Sequence, residues 1–171
     1  MQKNSMNPAP NHAALAAEID WLERAIAARF TQFTGSPDVS ELPPPPSSAY
    51  GESCAALGLN ADDRLIAILA LMPWVAPGRL DPFLITNKTT DRAFTEFGGY
   101  SVPMRVGFLP TRQTAIFMLA GGAVDRGIAV MARFRADAPL QRQNVLESHD
   151  DCYAPWLPID PHPQWIARQL G

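Results

Sequence analysis

Proline occurs 17 times among the 171 residues of this chain, and it limits the fold more than any other feature. Its ring removes the backbone N–H donor and fixes φ, so proline is strongly disfavoured in helix interiors and central strands. The longest run, Pro43 to Pro46, favours stiff polyproline II structure. Much of the chain must therefore consist of loops and connections between short regular elements.

Composition places the chain among ordinary globular domains. Hydrophobic residues make up 47% and charged residues 18%, and this length is enough to bury a core without disulfides. The formal net charge of −3 removes the simplest argument for nucleic-acid binding, which is strong basicity. Cys54 and Cys152 stand far apart and form no disulfide framework. With no signal-peptide pattern or membrane-length apolar run, we expect a cytoplasmic protein without membrane contact.

Four segments divide the chain. Residues 1–11 are polar and predict a disordered tail, and residues 12–34 predict an amphipathic helix. Residues 35–48 predict a proline-rich linker that acts as a spacer or, alternatively, as a ligand for an aromatic groove. Residues 49–171 predict the main domain. The helix prediction rests on apolar residues spaced by three or four, namely Leu15, Ile19, Leu22, Ile26, Phe30 and Phe33. Trp21 lies beside this stripe and either docks a partner or packs on its own domain.

Cap residues mark the helices of the main domain. Asn60 resembles an N-cap and precedes RLIAILALMPW, which is apolar on all sides and predicts a central core helix. Thr111 resembles a second N-cap, and Gly121 a helix stop. A further helix is expected from Val124 to Phe134, with Val124, Ile128 and Met131 on one side.

Two short alternating segments near the end of the chain, NVLESHD and APWLPID, predict a β-hairpin over about residues 144–160. Helices followed by a terminal hairpin indicate an α+β domain that is mainly helical. The order of elements is that of a winged-helix-like domain with a short C-terminal β-hairpin, preceded by the amphipathic helix.

The segment from 86 to 110 is long for a loop and rich in aromatic residues. We expect Phe94 and Phe97 to anchor it on the helical core. Gly98 and Gly99 would supply the turn that lets both rings point inward. The ordered loop either presents a fixed surface to a partner or merely covers the open side of the core.

Polar residues of the same loop must also be held in place, because ordering a loop costs conformational entropy. Asp91, Arg92, Thr95 and Glu96 are placed to bond one another or nearby backbone. An ion pair between Asp91 and Arg92, or between Arg92 and Glu96, is the simplest arrangement.

Residues 87–121 carry a recognisable pattern. NKTTDRAFTEFGG, followed by GFLPTRQTAIFMLAGG, resembles the N-terminal region of AAA+ ATPases encoded with contractile injection systems, the phage-tail-like particles of bacteria and archaea. The resemblance implies a winged-helix-like accessory domain ahead of a ring-shaped motor. It also implies a non-catalytic role in protein–protein docking, either to the motor module or to a component of the injection system. Asp91, Arg92 and the FTEFGG stretch, Phe94 to Gly99, then belong to the candidate partner-binding surface.

The motor itself is missing from this sequence. Nucleotide hydrolysis in such ATPases needs a phosphate loop, GxxxxGK[ST], and no such motif occurs here. We therefore expect no ATP binding and no catalysis. The chain is then either part of a longer protein or a freestanding relative that has lost the motor. Gly171 falls about where the ATPase module would begin in the family, which favours the first. Arg112-Gln113 stands where the family pattern has Gly-Glu, so no role of that glutamate is carried over.

A winged-helix DNA-binding regulator is the alternative function. Between residues 105 and 142 arginines outnumber acidic residues, namely Arg105, Arg112, Arg126, Arg133, Arg135 and Arg142 against Asp125 and Asp137. Arg126, Arg133 and Arg135 could face phosphates. They could equally face a protein partner, which the overall acidity of the chain favours.

Metal and nucleophile chemistry have little support in the sequence. His149 and Cys152 have a spacing that zinc tolerates, and His162 could be a third ligand, but a polar hairpin turn explains the same residues. No G-x-S-x-G motif is present. We expect no metal site, no cofactor and no catalytic residue.

Overall fold

The computed structural model describes residues 12–35, 41–101, 107–149 and 154–171, and the predicted tail over residues 1–11 lies outside them. The described part is mainly helical with one small antiparallel sheet, which confirms the mainly helical α+β prediction. The α-helices of this part are α1 His12–Phe33, α2 Ala49–Ala56, α3 Ala61–Val75, α4 Arg112–Ala120, α5 Val124–Met131, α6 Pro139–Arg142 and α7 Pro163–Leu170. Short 3-10 helices span Pro77–Leu84, Thr95–Phe97 and Ala132–Phe134.

Helix α3 forms the centre of the core, as its sequence predicts. Every residue from Leu65 to Met72 is at most 1% exposed. Such complete burial explains why the helix is apolar on all sides rather than along one stripe. Helices α1 and α4 pack against it and belong to the same hydrophobic core.

The buried face of α1 differs from the predicted stripe. Leu22 and Ile26 are buried as expected, but Leu15 and Ile19 are only partly buried, and Phe33 is 37% exposed. The face that contacts the core is turned toward Ala14, Glu18, Trp21, Ala25 and Arg29. Trp21 is 2% exposed, so it packs on its own domain and does not dock a partner.

A buried ion pair explains this rotation of α1. Glu18 has no exposed surface, and Arg64 of α3 binds both of its carboxylate oxygens. Ser48 donates a hydrogen bond of 2.6 Å to the same carboxylate and also caps α2. The proline-rich segment supplies two backbone acceptors. Trp21 Nε1 donates to Pro43 O at 2.8 Å, and Arg64 Nη2 donates to Pro46 O at 2.6 Å. The described part of the linker, residues 41–48, is therefore bonded back to the core.

The helix caps follow the sequence signals. Asn60 and Asp63 form a reciprocal capping box at the start of α3, with hydrogen bonds of 3.0 and 3.1 Å. Thr111 and Thr114 form the equivalent box at α4. Gly121 ends α4 in the left-handed region, at φ 55°.

A two-stranded sheet lies within the loop that was expected to be irregular. Strands β1 Thr86–Asn87 and β2 Arg92–Ala93 pair antiparallel. Asp91 makes the turn possible with φ 52°. Asparagine and aspartate tolerate this left-handed region better than most residues, but the segment is too short for an alternating pattern to predict the strands.

The predicted C-terminal hairpin forms only in reduced form. Leu146 and Pro161 make a single antiparallel bridge, with hydrogen bonds from Glu147 N to Asp160 O and from His162 N to Val145 O, both of 2.9 Å. No two-stranded hairpin is formed by the described residues of 144–160, and the turn at 150–153 lies outside them. The prolines at 155, 158 and 161 offer no N–H donors, so a regular ladder cannot continue along this segment.

Candidate docking surface

Helices α4 and α5 pack against each other and are joined by Gly121, Gly122 and Ala123. Gly127 lies at the crossing, where an added Cβ would stand 3.4 Å from Cγ2 of Ile116. Within α5 only Gly127 and Val130 are buried. The helix therefore contacts the body through a narrow face and leaves its apolar side uncovered.

The uncovered side of α5 carries large apolar residues in solvent. Val124 is 77% exposed and Ile128 is 69% exposed. Together with Ile116 and Met131 they line an open groove of about 450 Å³ along α4 and α5. The sequence did place Val124, Ile128 and Met131 on one side of the helix, but it did not indicate that this side faces outward. We call this groove the apolar groove.

A smaller cavity of about 190 Å³ adjoins the apolar groove. Gln113, Ile116 and Gly122 line both cavities. The smaller cavity reaches Arg29 of α1, which is 7% exposed. Sequence reasoning missed Arg29, because an arginine on the edge of an amphipathic helix is usually solvated. We call this cavity the arginine pocket.

The guanidinium of Arg29 is held by neutral groups. Its Nε donates to Met118 O at 2.9 Å, and its Nη1 donates to Oε1 of Gln32. Among the described residues no carboxylate lies within ion-pair distance of it. Burial, and next the charge of Arg126, lower the pKa of Arg29 below its usual value.

The arginines singled out as phosphate or partner contacts mostly face acidic residues of their own chain. Arg126 binds Asp62 at 3.1 Å. Arg133 binds Asp62 at 2.9 Å and Asp63 at 2.8 Å. Arg135 lies 3.2 Å from Asp137 in an exposed pair. The sequence count compared only residues 105–142 and so overlooked the two aspartates at the start of α3.

Two further arginines of that count are described. Arg112 is 3% exposed, and its guanidinium lies over the ring of Phe134 at 5.2 Å from the centroid. It is therefore a core residue and unsuited to a phosphate contact. Arg142 is exposed at the end of α6, and Arg105 lies outside the described residues.

The loop residues proposed for partner contact divide into two groups. Phe97 is 1% exposed and Phe94 is partly buried against the core, so both rings anchor the loop as predicted. Thr95 and Glu96 are exposed and remain available to a partner. Phe97 can support such a contact only by holding the loop in place.

The turn at Gly98 and Gly99 packs directly on α4 and the following aromatic residue. Both glycines have positive φ, 60° and 71°. A Cβ on Gly98 would collide with Gln113, and one on Gly99 with the ring of Phe108. Gly99 N donates to Oγ1 of Thr111 at 3.0 Å. The predicted turn is confirmed, and its close contacts require glycine as much as its φ values do.

The expected ion pair within the loop is not formed. No salt bridge joins Asp91 to Arg92 or Arg92 to Glu96. Neutral hydrogen bonds hold the loop instead, including Gln113 Nε2 to Glu96 O at 3.2 Å. Arg92 lies in an exposed strand, where the gain from an ion pair is small compared with the side-chain entropy it costs.

In the part of the chain that the structure describes, no group of three or more His, Cys, Asp or Glu residues is placed to hold a metal ion. His149 lies 3.4 Å from Asp160, and Nδ1 of His162 caps α7 by accepting from Gln164 N. Cys152 lies outside the described residues. Burial raises the pKa of the Cys54 thiol to about 12, which makes it a poor nucleophile near neutral pH.

Comparison with protein-family models, with curated proteins and with solved structures finds no match to this chain. Within the described residues no single helix has the length and apolar character needed to cross a membrane; α3 with the following 3-10 helix does so only as a pair bent by 106°.

Proposed function

We propose that this chain is a non-catalytic accessory domain that docks a protein partner through the apolar groove. In keeping with the sequence resemblance, it serves an AAA+ motor of a contractile injection system in the cytoplasm. The partner is either the motor module itself or a component of the injection system. The winged-helix-like form of the domain belongs to the same proposal, and the antiparallel pairing near Leu146 and Pro161 supports it.

The observation that carries the proposal is the exposure of Val124 and Ile128. Exposed apolar residues are common singly, but here two large side chains one helical turn apart border a groove lined by further apolar residues. Burying such side chains gives about 1.5–3 kcal/mol each, so covering this face with a partner is favourable. Grooves of this kind accept amphipathic helices from partner proteins.

DNA binding is not favoured by the arrangement of charges. The arginines on this side of the molecule that were candidates for phosphate contacts, Arg126 and Arg133, are paired with Asp62 and Asp63. A phosphate would have to displace these aspartates and would meet their negative charge. A protein partner needs no such displacement.

The proposal is tested by placing charges in the apolar groove. Val124→Asp and Ile128→Asp should each weaken binding to the purified AAA+ motor module or tail component at least about tenfold, because a carboxylate would be buried in an apolar contact. Ile85→Asp is the matched control, since Ile85 is also an exposed apolar residue, at 53%, but lies outside the groove. Isothermal titration measures the affinities.

Equal affinities for the parent and the groove variants would overturn the docking proposal. The assignment to an AAA+ system has a separate test. The coding sequence downstream of codon 171 should encode a phosphate loop within the next few hundred codons, and its absence there would contradict the assignment. A parent chain that bound duplex DNA tightly, with an affinity that fell steeply with salt, would favour the DNA-binding alternative.

A further inference from the structure

The uncompensated charge of Arg29 is the feature of this molecule that the fold least explains. A buried guanidinium normally lies beside a carboxylate, because its desolvation is costly. Arg64, which is paired with the buried carboxylate of Glu18, follows that rule. Arg29 is equally inaccessible, yet the described residues supply it only with a backbone carbonyl and an amide oxygen.

The surroundings of Arg29 offset its charge only in part. Met118 O belongs to the last turn of α4, whose carbonyl end carries partial negative charge. Arg126 competes for the same helix end, since its Nε lies 3.4 Å from Leu119 O. Two cations thus share about half a negative charge. Arg126 is neutralised by Asp62, and Arg29 is left with the remainder.

The arginine pocket gives this charge an opening toward the apolar groove. The two cavities adjoin and share Gln113, Ile116 and Gly122 as lining residues. Gly121 lies against the Arg29 guanidinium, and a Cβ there would collide with it. Because Gly121 and Gly122 have no side chains, a ligand can approach closely along this wall. The surface therefore combines an apolar groove with a buried positive charge at one end.

Resting on the proposed function, we infer that Arg29 forms the charged end of the docking surface and binds the carboxylate of an Asp or Glu side chain on the partner. That side chain projects from an amphipathic helix whose apolar face lies in the groove. The charge complementarity of Arg29 selects this occupant over a purely apolar segment. A carboxylate also matches the planar guanidinium better than other side chains do.

Glu96 allows a second, independent test of the role of Arg29. Glu96 also lines the arginine pocket, but its carboxylate is exposed and accepts a long hydrogen bond of 3.4 Å from Thr95. This like charge at the pocket opposes an incoming carboxylate. Glu96→Gln should therefore strengthen binding of an acidic partner, and it replaces an exposed side chain whose loss leaves the fold intact.

The test selects ligands without assuming their sequence. A displayed library of random peptides of about 16 residues, long enough for about four helical turns, is selected on the full chain. Ile128→Asp serves as the counter-selection. Enriched peptides should carry apolar residues at helical spacing and an Asp or Glu near one end. Replacing that acidic residue by its amide should weaken binding about tenfold, the size expected for a charge-assisted hydrogen bond.

Variants of the chain then locate the contact. Glu96→Gln should bind the acidic peptide severalfold more tightly and leave its amide counterpart unchanged. Arg29→Gln, compared at a temperature where its circular dichroism matches the parent, should bind both peptides equally. Enriched peptides without an acidic residue, or an acid-to-amide effect that Arg29→Gln does not remove, would overturn the inference.

Failure of the Arg29 inference can be distinguished from failure of the proposed function. Acidic peptides that bind a chain with no affinity for the motor module or tail component would contradict the function and keep the Arg29 site. Binding of the motor module that depends on Ile128 but not on Arg29 would do the reverse.

Discussion

Phe97 joins the FTEFGG loop to the core, and its truncation measures what that loop contributes to stability. The ring is 1% exposed. Aromatic rings surround it at centroid distances of 4.8 to 6.1 Å, namely Phe30, Phe33, Phe83, Phe94 and Phe117. Phe97→Ala removes all of these contacts and leaves a cavity that the packed neighbours fill only in part.

The expected cost is about 3–5 kcal/mol, which combines lost burial with the cavity. For a chain of this length each kcal/mol lowers the melting temperature by about 2–4 °C, so a drop of about 6–20 °C follows. Urea unfolding followed by circular dichroism gives the free energy, and calorimetry gives the temperature. Tyr100→Ala is the matched control, because Tyr100 belongs to the same loop but is 43% exposed.

Phe94→Ala should fall between the two, since its ring is only partly buried against Phe33. The reasoning fails if Phe97→Ala unfolds within about 1 kcal/mol of the parent, a value typical of an average substitution rather than of a lost core aromatic ring. It also fails if Tyr100→Ala is as damaging as Phe97→Ala. Either result would mean that the loop is not anchored through this ring.

Two further predictions concern buried polar groups, and urea titration measures both. Glu18→Gln should destabilise the chain by about 3–5 kcal/mol, because it leaves the Arg64 charge buried without its partner. The control Glu23→Gln breaks an exposed pair on the same helix and should leave the urea midpoint near that of the parent. Similar losses of stability in both variants would contradict the buried-pair argument. The pKa of Cys54 is about 12 in the folded state and roughly 8.5 in the unfolded state. Between these values the folded state retains a proton that the unfolded state loses, so the free energy of unfolding should fall as pH rises from about 8.5 toward 12. From pH 8 to 10 the parent should lose about 1–2 kcal/mol more than Cys54→Ala does, and parallel pH profiles would refute this.

Signals between near neighbours in sequence predicted the fold well. Asn60 and Asp63 cap the start of α3, and Thr111 and Gly121 mark the two ends of α4, through local backbone chemistry. Phe97 was also predictable, because a long loop rich in aromatic residues cannot be ordered without burying some of them.

Features that depend on distant residues were not predictable. Glu18 and Arg64 are 46 positions apart, and a glutamate in an amphipathic helix is normally taken as part of its solvated face. The outward orientation of Val124 and Ile128 depends on how α5 packs on the body, where only Gly127 and Val130 of this helix are buried. The C-terminal pairing is limited to one bridge, because the prolines of this segment offer no N–H donors for a longer ladder.

The proline tract has one more consequence, which concerns how freely the segment can mutate. Pro43 and Pro46 supply carbonyl acceptors to Trp21 and Arg64, while no residue from Pro43 to Pro46 has an N–H that would need a partner of its own. The proline tract thus covers the largely buried Arg64 without leaving a backbone N–H donor of its own without a partner. Any other residue at the partly covered positions 43, 45 or 46 would introduce an amide hydrogen that must find water or a new acceptor. Substitution there should be restricted even where the replaced ring touches little.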